Sequence, residues 1–142
     1  GLVDPSVSMH LGLRTPYPQS TELGYEVLDA IAIREMTSRE IARAIADRVG
    51  DRPAYLTFDI DFIDPAFAPG TGTPCPGGPD VYKSREILFE LDETGVNVVG
   101  GDMVEVAPIY DGPGQITALA GATIASDILE LIAHSRARSA AS

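Results

Sequence analysis

Residues 54–60 constrain the fold of this chain most strongly, because they are apolar enough to form a strand that is buried on both faces. Such strands occur inside parallel sheets, in which helices connect one strand to the next. Residues 8–13, 24–29 and 97–101 are further β-type runs that lie near turn signals. The sequence therefore predicts an α/β fold with a parallel sheet.

Helical patterns alternate with these strands. Thr37 and Glu40 have the spacing of a capping box, which predicts that a helix begins here and ends near Gly50. Ser84 is a candidate cap for a second helix. A third helix is predicted over residues 116–134, and the tail that follows it is small and polar enough to fray.

These elements amount to about four strands and three helices in one α/β unit, with no linker and no internal repeat. We therefore predict that residues 1–142 belong to a single domain. A four-stranded parallel sheet this apolar would leave an edge exposed, so further strands are expected from elsewhere. The first residue, Gly1, is not a methionine, which also favours a chain that is part of a longer domain.

Composition limits the classes of function. A formal net charge of -11 argues against binding to nucleic acid, because no basic stripe is present to neutralise phosphates. The charge suits a cationic small molecule or metal ions, although acidic soluble proteins are common. No apolar run approaches the roughly 20 residues that cross a bilayer, and no basic-then-apolar leader is present. We therefore expect no membrane contact and a cytoplasmic location.

Cys75 is the single cysteine, which excludes an internal disulfide and a cysteine-rich zinc site. A nucleophilic thiol would need a histidine partner, and neither His10 nor His134 is close to it in sequence. Each histidine is more typical of a surface or hydrogen-bonded residue than of a metal ligand.

Two aspartates, Asp59 and Asp61, mark the end of the apolar run. If both lie in the strand, their side chains point to the same face. Open α/β sheets bind their ligands at this end of the strands. Two ionised carboxylates this close repel each other, and either a divalent cation or a basic partner would relieve that repulsion. Among metals, oxygen ligands favour Mg²⁺, Ca²⁺ or Mn²⁺. The alternative is structural, with the aspartates ending the strand or capping a neighbouring helix.

A long loop rich in proline and glycine is predicted from Asp61 to about Lys83. Loops of this length inside a compact domain are mostly functional or disordered. Residues 69–74 read Pro-Gly-Thr-Gly-Thr-Pro and are followed by Gly77 and Gly78, which predicts sharp turns that can fold back over the strand end. No Gly-Lys-Ser/Thr follows, so the loop is not a nucleotide-binding P-loop.

Several motifs, taken together and in order, resemble the ureohydrolases, the family of arginases and agmatinases. They are Phe-Asp-Ile-Asp at residues 58–61, the loop at 69–78, Gly-Asp-Met-Val-Glu-Val-Ala-Pro at 101–108, Tyr-Asp at 110–111 and Thr-Ala-Leu at 117–119. The likeness runs through nearly the whole chain, corresponds to the C-terminal half of the family's domain and is closest to agmatinase.

The resemblance implies a three-layer α/β/α sandwich with a mostly parallel sheet, assembled into trimers or hexamers. It implies two Mn²⁺ ions per active site and hydrolysis of a guanidino compound to urea and an amine, most closely agmatine to putrescine and urea. On this likeness Asp59 and Asp61 are metal ligands, with Asp59 the bridge between the ions. Glu105 matches the glutamate that binds the guanidinium, and Thr73 falls where the family has a hydroxyl near it.

Simpler interpretations exist for some of these residues. Glu105 could form a loop ion pair with Arg14 or Arg85. Asp64 precedes a proline and is typical of a turn former or of a residue behind the ligands. Asp102 is typical of a residue that ends a strand or of one that lies behind the ligands.

Two further motifs of the family, Gly-Gly-Asp-His and Asp-Ala-His-x-Asp, do not occur in this sequence. They would supply the other metal ligands and the histidine credited with proton transfer. We therefore expect residues 1–142 alone to bind manganese poorly and to be inactive. Thr57 stands where a serine is usual and keeps the hydroxyl. Residues 79–84 form a longer connection than usual, which could alter the choice of substrate.

Three alternatives remain open. Within the family, guanidinobutyrate, guanidinopropionate and arginine differ from agmatine at the tail remote from the chemistry. A phosphatase of the haloacid-dehalogenase type also uses an Asp-x-Asp pair with Mg²⁺, but Phe62 and the threonine-containing loop count against it. A non-catalytic relative acting as a scaffold is the third alternative, and the retained Asp59, Asp61 and Glu105 count against it.

Overall fold

The computed structural model describes residues 2–141, and Gly1 and Ser142 lie outside that range. The elements are β1 (Met9–Leu11), α1 (Pro18–Glu22), β2 (Glu26–Leu28), α2 (Ala30–Glu35), α3 (Ser38–Val49), β3 (Ala54–Asp59), α4 (Val81–Glu93), β4 (Val98–Val104) and α5 (Ile116–Ala141). Short 3-10 turns lie at Pro5–Val7, Ile60–Phe62 and Pro108–Tyr110. The alternation of strands and helices confirms the predicted α/β class.

The four predicted strands are present within residues 2–141, but they form two parallel pairs instead of one sheet. β1 pairs with β2, and β3 pairs with β4 in a register that sets Asp59 opposite Val104. β4 therefore extends beyond the end predicted at Gly101. A side chain at Gly101 would lie 2.8 Å from Ile128 of α5, so the glycine allows the helix to pack closely on a strand that continues past it.

The β3–β4 pair is covered by helices on one face. The buried cluster on that face consists of Phe58, Ile60, Ile63, Ala68, Leu88, Ile124 and Ile128, with α4 and α5 as the covering helices. Exposure alternates along β3, and Tyr55 on the other face is 64% exposed. The prediction that this strand is buried on both faces is therefore wrong for residues 2–141, because the described helices cover a single side.

Helix α3 begins as predicted, whereas α4 does not. Thr37 Oγ1 accepts the amide of Glu40 at 3.2 Å, and the Glu40 carboxylate accepts the amide of Thr37 at 2.8 Å. The cap predicted at Ser84 is wrong, because Asp80 caps α4 by accepting the amide of Lys83 at 2.7 Å. The long loop therefore ends at Asp80, three residues earlier than predicted.

Two short helices, α1 and α2, were not predicted. They contain 5 and 6 residues, which is too short for an apolar period to be recognised. Their local signals are nevertheless present in the sequence. Pro18 occupies the start of α1, and Asp29 caps α2 by accepting the amide of Ala32 at 2.8 Å.

Helix α5 runs to Ala141 instead of fraying after residue 134. Ser135 is 2% exposed and its hydroxyl donates to the carbonyl of Val96 at 3.1 Å. Arg138 forms an ion pair with Asp92 at 2.7 Å. These contacts with the end of α4 and the segment after it order the last turns that the sequence alone suggested would fray.

By length and composition alone, α5 is apolar enough to cross a membrane, contrary to the expectation that no such run exists. One side of this helix is buried against β4 and α4. Buried core helices of soluble proteins have the same composition, so this feature is weak evidence for a membrane span.

An ion pair joins α4 to α5. Arg85 Nε lies 2.6 Å from Asp127 Oδ2, and Arg85 Nη2 lies 3.0 Å from Asp127 Oδ1. Asp127 is 7% exposed, and the guanidinium also lies over the ring of Phe89 at 5.2 Å. The carboxylate is thus buried with its charge matched by a two-point hydrogen bond, an arrangement that is costly to break from one side.

We predict that Asp127→Asn lowers the free energy of unfolding by about 1 to 2 kcal/mol, because the partly exposed guanidinium loses its charged acceptor. Urea unfolding followed by circular dichroism measures this change. Asp47→Asn is the matched control, since it makes the same substitution at an exposed position of α3. Equal stability losses in the two variants would contradict a specific role for the buried pair.

Candidate active site

The carboxyl end of β3 carries the two aspartates in different backbone settings. Asp59 is the last residue of the strand, whereas Asp61 lies in the 3-10 turn Ile60–Phe62. The amide of Asp61 donates to Asp59 Oδ1 at 2.8 Å. Asp59 therefore caps this turn, as the structural alternative proposed, and the assumption that both side chains leave a regular strand is wrong.

Two threonine hydroxyls hold the carboxylate of Asp61. Thr71 Oγ1 donates to Asp61 Oδ1, and Thr73 Oγ1 donates to Asp61 Oδ2. Thr71 is 3% exposed, so water does not compete for its hydrogen bond. A carboxylate offers about four lone pairs, so Asp61 keeps acceptor positions for a further ligand after both threonines are bound.

Arg14 holds the backbone of the same turn. Its guanidinium donates to the carbonyls of Gly12 and Phe62 at 3.1 Å each, and also to the carbonyl of Asp61. The three acceptors are neutral backbone groups, and none is a carboxylate. Arg14 Nε is buried without a hydrogen-bond partner among the described residues. The side chain thus joins the segment after β1 to the segment after β3.

Two glycines permit this close contact around Phe62. A side chain at Gly12, which has a φ of 75°, would lie 2.4 Å from the ring of Phe62. A side chain at Gly78 would lie 2.4 Å from the carbonyl oxygen of Phe62. Atoms cannot approach this closely, so glycine is required at both positions for the loop and the turn to pack together.

Glu105 follows β4 and has a φ of 64°, a left-handed conformation that costs a non-glycine residue roughly 1–2 kcal/mol. The next residue, Val106, pairs with Thr71 in an isolated antiparallel bridge. A side chain at Gly72 would lie 4.0 Å from Glu105 Oε2, which puts the carboxylate beside this loop. Such strained backbones are common at functional sites.

The simpler interpretation of Glu105 as a loop ion pair finds no support among the described residues. Arg85 pairs with Asp127, and Arg14 donates to backbone carbonyls. The carboxylate of Glu105 is exposed and is available to a ligand.

The three carboxylates form an acidic cluster. The pKa of Asp59 is raised, mainly because its carboxyl is partly buried. The hydrogen bond from the amide of Asp61 opposes this rise, and the negative charges of Asp61 and Glu105 add to it. Arg14 lowers the pKa of Asp59 only slightly by comparison, since it is the last of these causes. The cluster therefore has an excess of negative charge that a bound cation would neutralise.

Asp64 and Asp102 have structural contacts. Asp64 accepts the amides of Ala66 at 2.9 Å and Gly77 at 2.7 Å, and these hydrogen bonds hold the pKa of its carboxyl below the usual range. Of the two interpretations of Asp64, these contacts support the turn former. Asp102 lies within β4, not at its end, and accepts the hydroxyl of Tyr55 at 3.0 Å.

The histidines lie in other contacts. The ring of His10 stacks on Tyr25 with centroids 4.5 Å apart and is hydrogen-bonded to Ser20. His134 pairs with Asp92. Within residues 2–141, no three histidine, cysteine, aspartate or glutamate side chains converge as a metal site. The carboxylates at the end of β3 are therefore at most part of a metal-binding set in this chain.

Comparison with known proteins identifies the family. The sequence profile of the arginase family matches residues 1–130. This chain belongs to the arginase family. The membership predicted from the motifs is confirmed, and an Asp-x-Asp phosphatase finds no support.

Agmatinases are among the arginase-family proteins whose sequences are similar to this chain. The agmatinase of Photorhabdus laumondii is 47% identical over 136 residues, which is 96% of this chain and 43% of that protein. The agmatinase of Neisseria gonorrhoeae is 50% identical over 131 residues, which is 92% of this chain and 41% of that protein. The chain thus spans less than half the length of the curated relatives it matches.

Solved structures confirm the arginase-like α/β fold. A hypothetical agmatinase from Burkholderia thailandensis superposes with a TM-score of 0.88 at 48% identity, covering 97% of this chain and 42% of that one. Proclavaminate amidino hydrolase from Streptomyces clavuligerus superposes with a TM-score of 0.87 at 36% identity, covering 94% of this chain and 45% of that one.

The sequence identified Asp59, Asp61, Thr73 and Glu105 as candidates, and the structure brings all four to one end of the β3–β4 pair. Thr71 was missed as a partner of Asp61, although its spacing of two from Thr73 across a glycine was a usable signal.

We predict that Arg14→Lys loosens the turn that carries Asp61, because a single ammonium cannot reach three carbonyls arranged around a planar guanidinium. Hydrogen–deuterium exchange of the peptide covering residues 60–64 is expected to speed up by about tenfold, which corresponds to about 1.4 kcal/mol of lost local stability. Arg34→Lys is the control, since this side chain is exposed and pairs with its neighbour Glu35. Unchanged exchange in Arg14→Lys would refute the role of the guanidinium.

Proposed function

We propose that this chain contributes part of a manganese-dependent ureohydrolase active site, and that the whole protein hydrolyses agmatine to putrescine and urea. The observation that carries the proposal is the position of Asp59, Asp61 and Glu105 at one end of the β3–β4 pair, where the nearby Arg14 donates to backbone carbonyls and not to a carboxylate. The similarity to agmatinases over more than nine-tenths of the chain supports the choice of substrate.

The donor set of this chain suits a hard divalent cation. Asp59 and Asp61 offer carboxylate oxygens, which Mn²⁺ prefers over soft ligands. The hydroxyls of Thr71 and Thr73 fix the orientation of the Asp61 carboxylate. When bound, a pair of Mn²⁺ ions supplies Lewis-acid activation of water. The residues of this chain fit that cofactor as two of its ligands.

Glu105 is the proposed binding residue for the guanidinium. A carboxylate facing a planar guanidinium can accept two parallel charge-assisted hydrogen bonds, which fixes the position of the reacting carbon. The strained backbone at Glu105 and the bridge between Val106 and Thr71 hold this carboxylate on the loop that also binds Asp61. The orientation of the substrate and that of the Asp61 carboxylate would thus both depend on the loop at residues 69–74.

We further propose that the remaining metal ligands, and the histidine for proton transfer, come from a part of the ureohydrolase domain that these 142 residues do not contain. The support is that the chain spans 41–43% of the relatives cited above. On this proposal the chain alone is inactive. Assembly into trimers or hexamers and a cytoplasmic location stay predictions.

The substrate is tested by urea release from the full-length protein. Agmatine, guanidinobutyrate, guanidinopropionate and arginine are compared with and without added Mn²⁺. The expected result is Mn²⁺-dependent urea release with the highest kcat/KM for agmatine. Preference for another guanidino compound would correct the substrate, and no urea from any of the four would refute the proposed function.

We predict that Glu105→Gln lowers kcat/KM for agmatine by about 100-fold, because the amide has no charge and has an NH2 group in place of the second oxygen that accepts one of the two parallel hydrogen bonds. Bound manganese, measured by elemental analysis, is expected to stay unchanged, since Glu105 is a substrate-binding residue and not a ligand. Glu93→Gln, at the exposed end of α4, is the control. Loss of manganese from Glu105→Gln would contradict the assigned role.

A further inference from the structure

Thr117, in the first turn of α5, is fully buried with 0% exposure. Its hydroxyl accepts the amide of Gly70 at 2.7 Å and donates to Asp111 Oδ1 at 3.1 Å. The single hydroxyl proton and one lone pair of Thr117 are therefore both used. The hydrogen bond from Gly70 joins α5 directly to the loop that carries Thr71 and Thr73.

The carboxylate of Asp111 holds Thr117 in place. Asp111 Oδ2 accepts the amides of Thr117 at 2.9 Å and Ala118 at 3.1 Å, and Asp111 Oδ1 accepts the amide of Gly112 at 3.1 Å. Burial alone would raise the pKa of Asp111, but these donors hold it below the usual range. The group therefore remains an ionised acceptor at the start of the helix, where the helix dipole also favours a negative charge.

The contact between the loop and α5 leaves no free space. A side chain at Gly70 would lie 2.9 Å from Cβ of both Asp111 and Thr117. A bulkier side chain at residue 117 would therefore displace Gly70, and loss of the hydroxyl would release its amide.

Gly70 is also held from the other side. Its carbonyl accepts the amide of Ala107 at 2.7 Å, and the next residue, Thr71, forms the bridge with Val106. Thr71 then donates to Asp61. A displacement of Gly70 would therefore reach the Asp61 carboxylate through one peptide unit.

We propose that Thr117 and Asp111 are positioning residues of the active site. Through the hydrogen bond to the amide of Gly70 they hold Thr71 in position to donate to Asp61. They also hold the segment after Glu105, because the carbonyl of Gly70 accepts the amide of Ala107. Neither residue has a hydrogen bond to Asp59 or Asp61 in the part of the chain that the structure describes. For its effect on turnover, this inference rests on the proposed function.

Thr117→Val in the full-length protein tests the inference, since it keeps the shape of the side chain and removes both hydrogen bonds of the hydroxyl. Thr117→Ser restores the hydroxyl. Thr123→Val is the matched control, because the Thr123 hydroxyl is exposed and bonds the carbonyl of Leu119 within the same helix at 2.8 Å. If Thr117→Val fails to fold, Asp111→Asn is used instead, because it removes the charge of the carboxylate that holds Thr117.

Three quantities are measured: exchange of the peptide covering residues 69–75 in the metal-free protein, the dissociation constant for Mn²⁺, and kcat and KM. Thr117→Val is expected to exchange faster in this peptide, to bind Mn²⁺ about 10- to 100-fold more weakly, and to lose kcat with little change in KM. Thr117→Ser, which keeps the hydroxyl, is expected to bind Mn²⁺ with an affinity within about threefold of wild type.

A folded Thr117→Val or Asp111→Asn protein with the loop exchange and Mn²⁺ affinity of the wild type would overturn the inference. Equal losses in Thr123→Val would also overturn it, because they would reflect general weakening of α5. Absence of urea release from the wild type would refute the proposed function instead, and loop exchange would still decide the positioning role.

Discussion

The hydrogen bonds from Thr71 and Thr73 to Asp61 are the contacts on which the rest of the site depends. They fold a loop rich in proline and glycine back over the end of β3. Without them, that end would present unsupported carboxylates to water. With them, one carboxylate has a fixed orientation, and the loop is close enough to Val106 to form a bridge that holds Glu105 beside it.

Support for this loop comes from elements distant in sequence. Arg14 joins the β1–β2 pair to the turn after β3, and Thr117 fastens the loop to α5. None of these contacts is an ion pair to a candidate ligand, so the acidic cluster keeps its negative charge. An arginine that neutralised Asp61 would compete with a cation, whereas Arg14 stabilises the backbone and leaves the carboxylate free to bind one.

Sequence signals predicted features that are local. The capping box at Thr37 and the position of Asp59 at the end of a strand were recognised because the residues that signal them lie within a few positions of each other. The contacts of Arg14 with Asp61 and of Gly70 with Thr117 each span 47 residues, and no local period or spacing reveals them. The separation into two strand pairs was also missed, since apolar runs indicate strands but not which strands are neighbours.

We propose that Asp59 and Asp61 bind manganese. The direct test is anomalous diffraction from crystals of the full-length protein grown with Mn²⁺. Two anomalous peaks are expected within coordination distance of the Asp59 and Asp61 carboxylates. Peaks elsewhere, with these carboxylates bonded only to Thr71, Thr73 and the turn they cap, would contradict it.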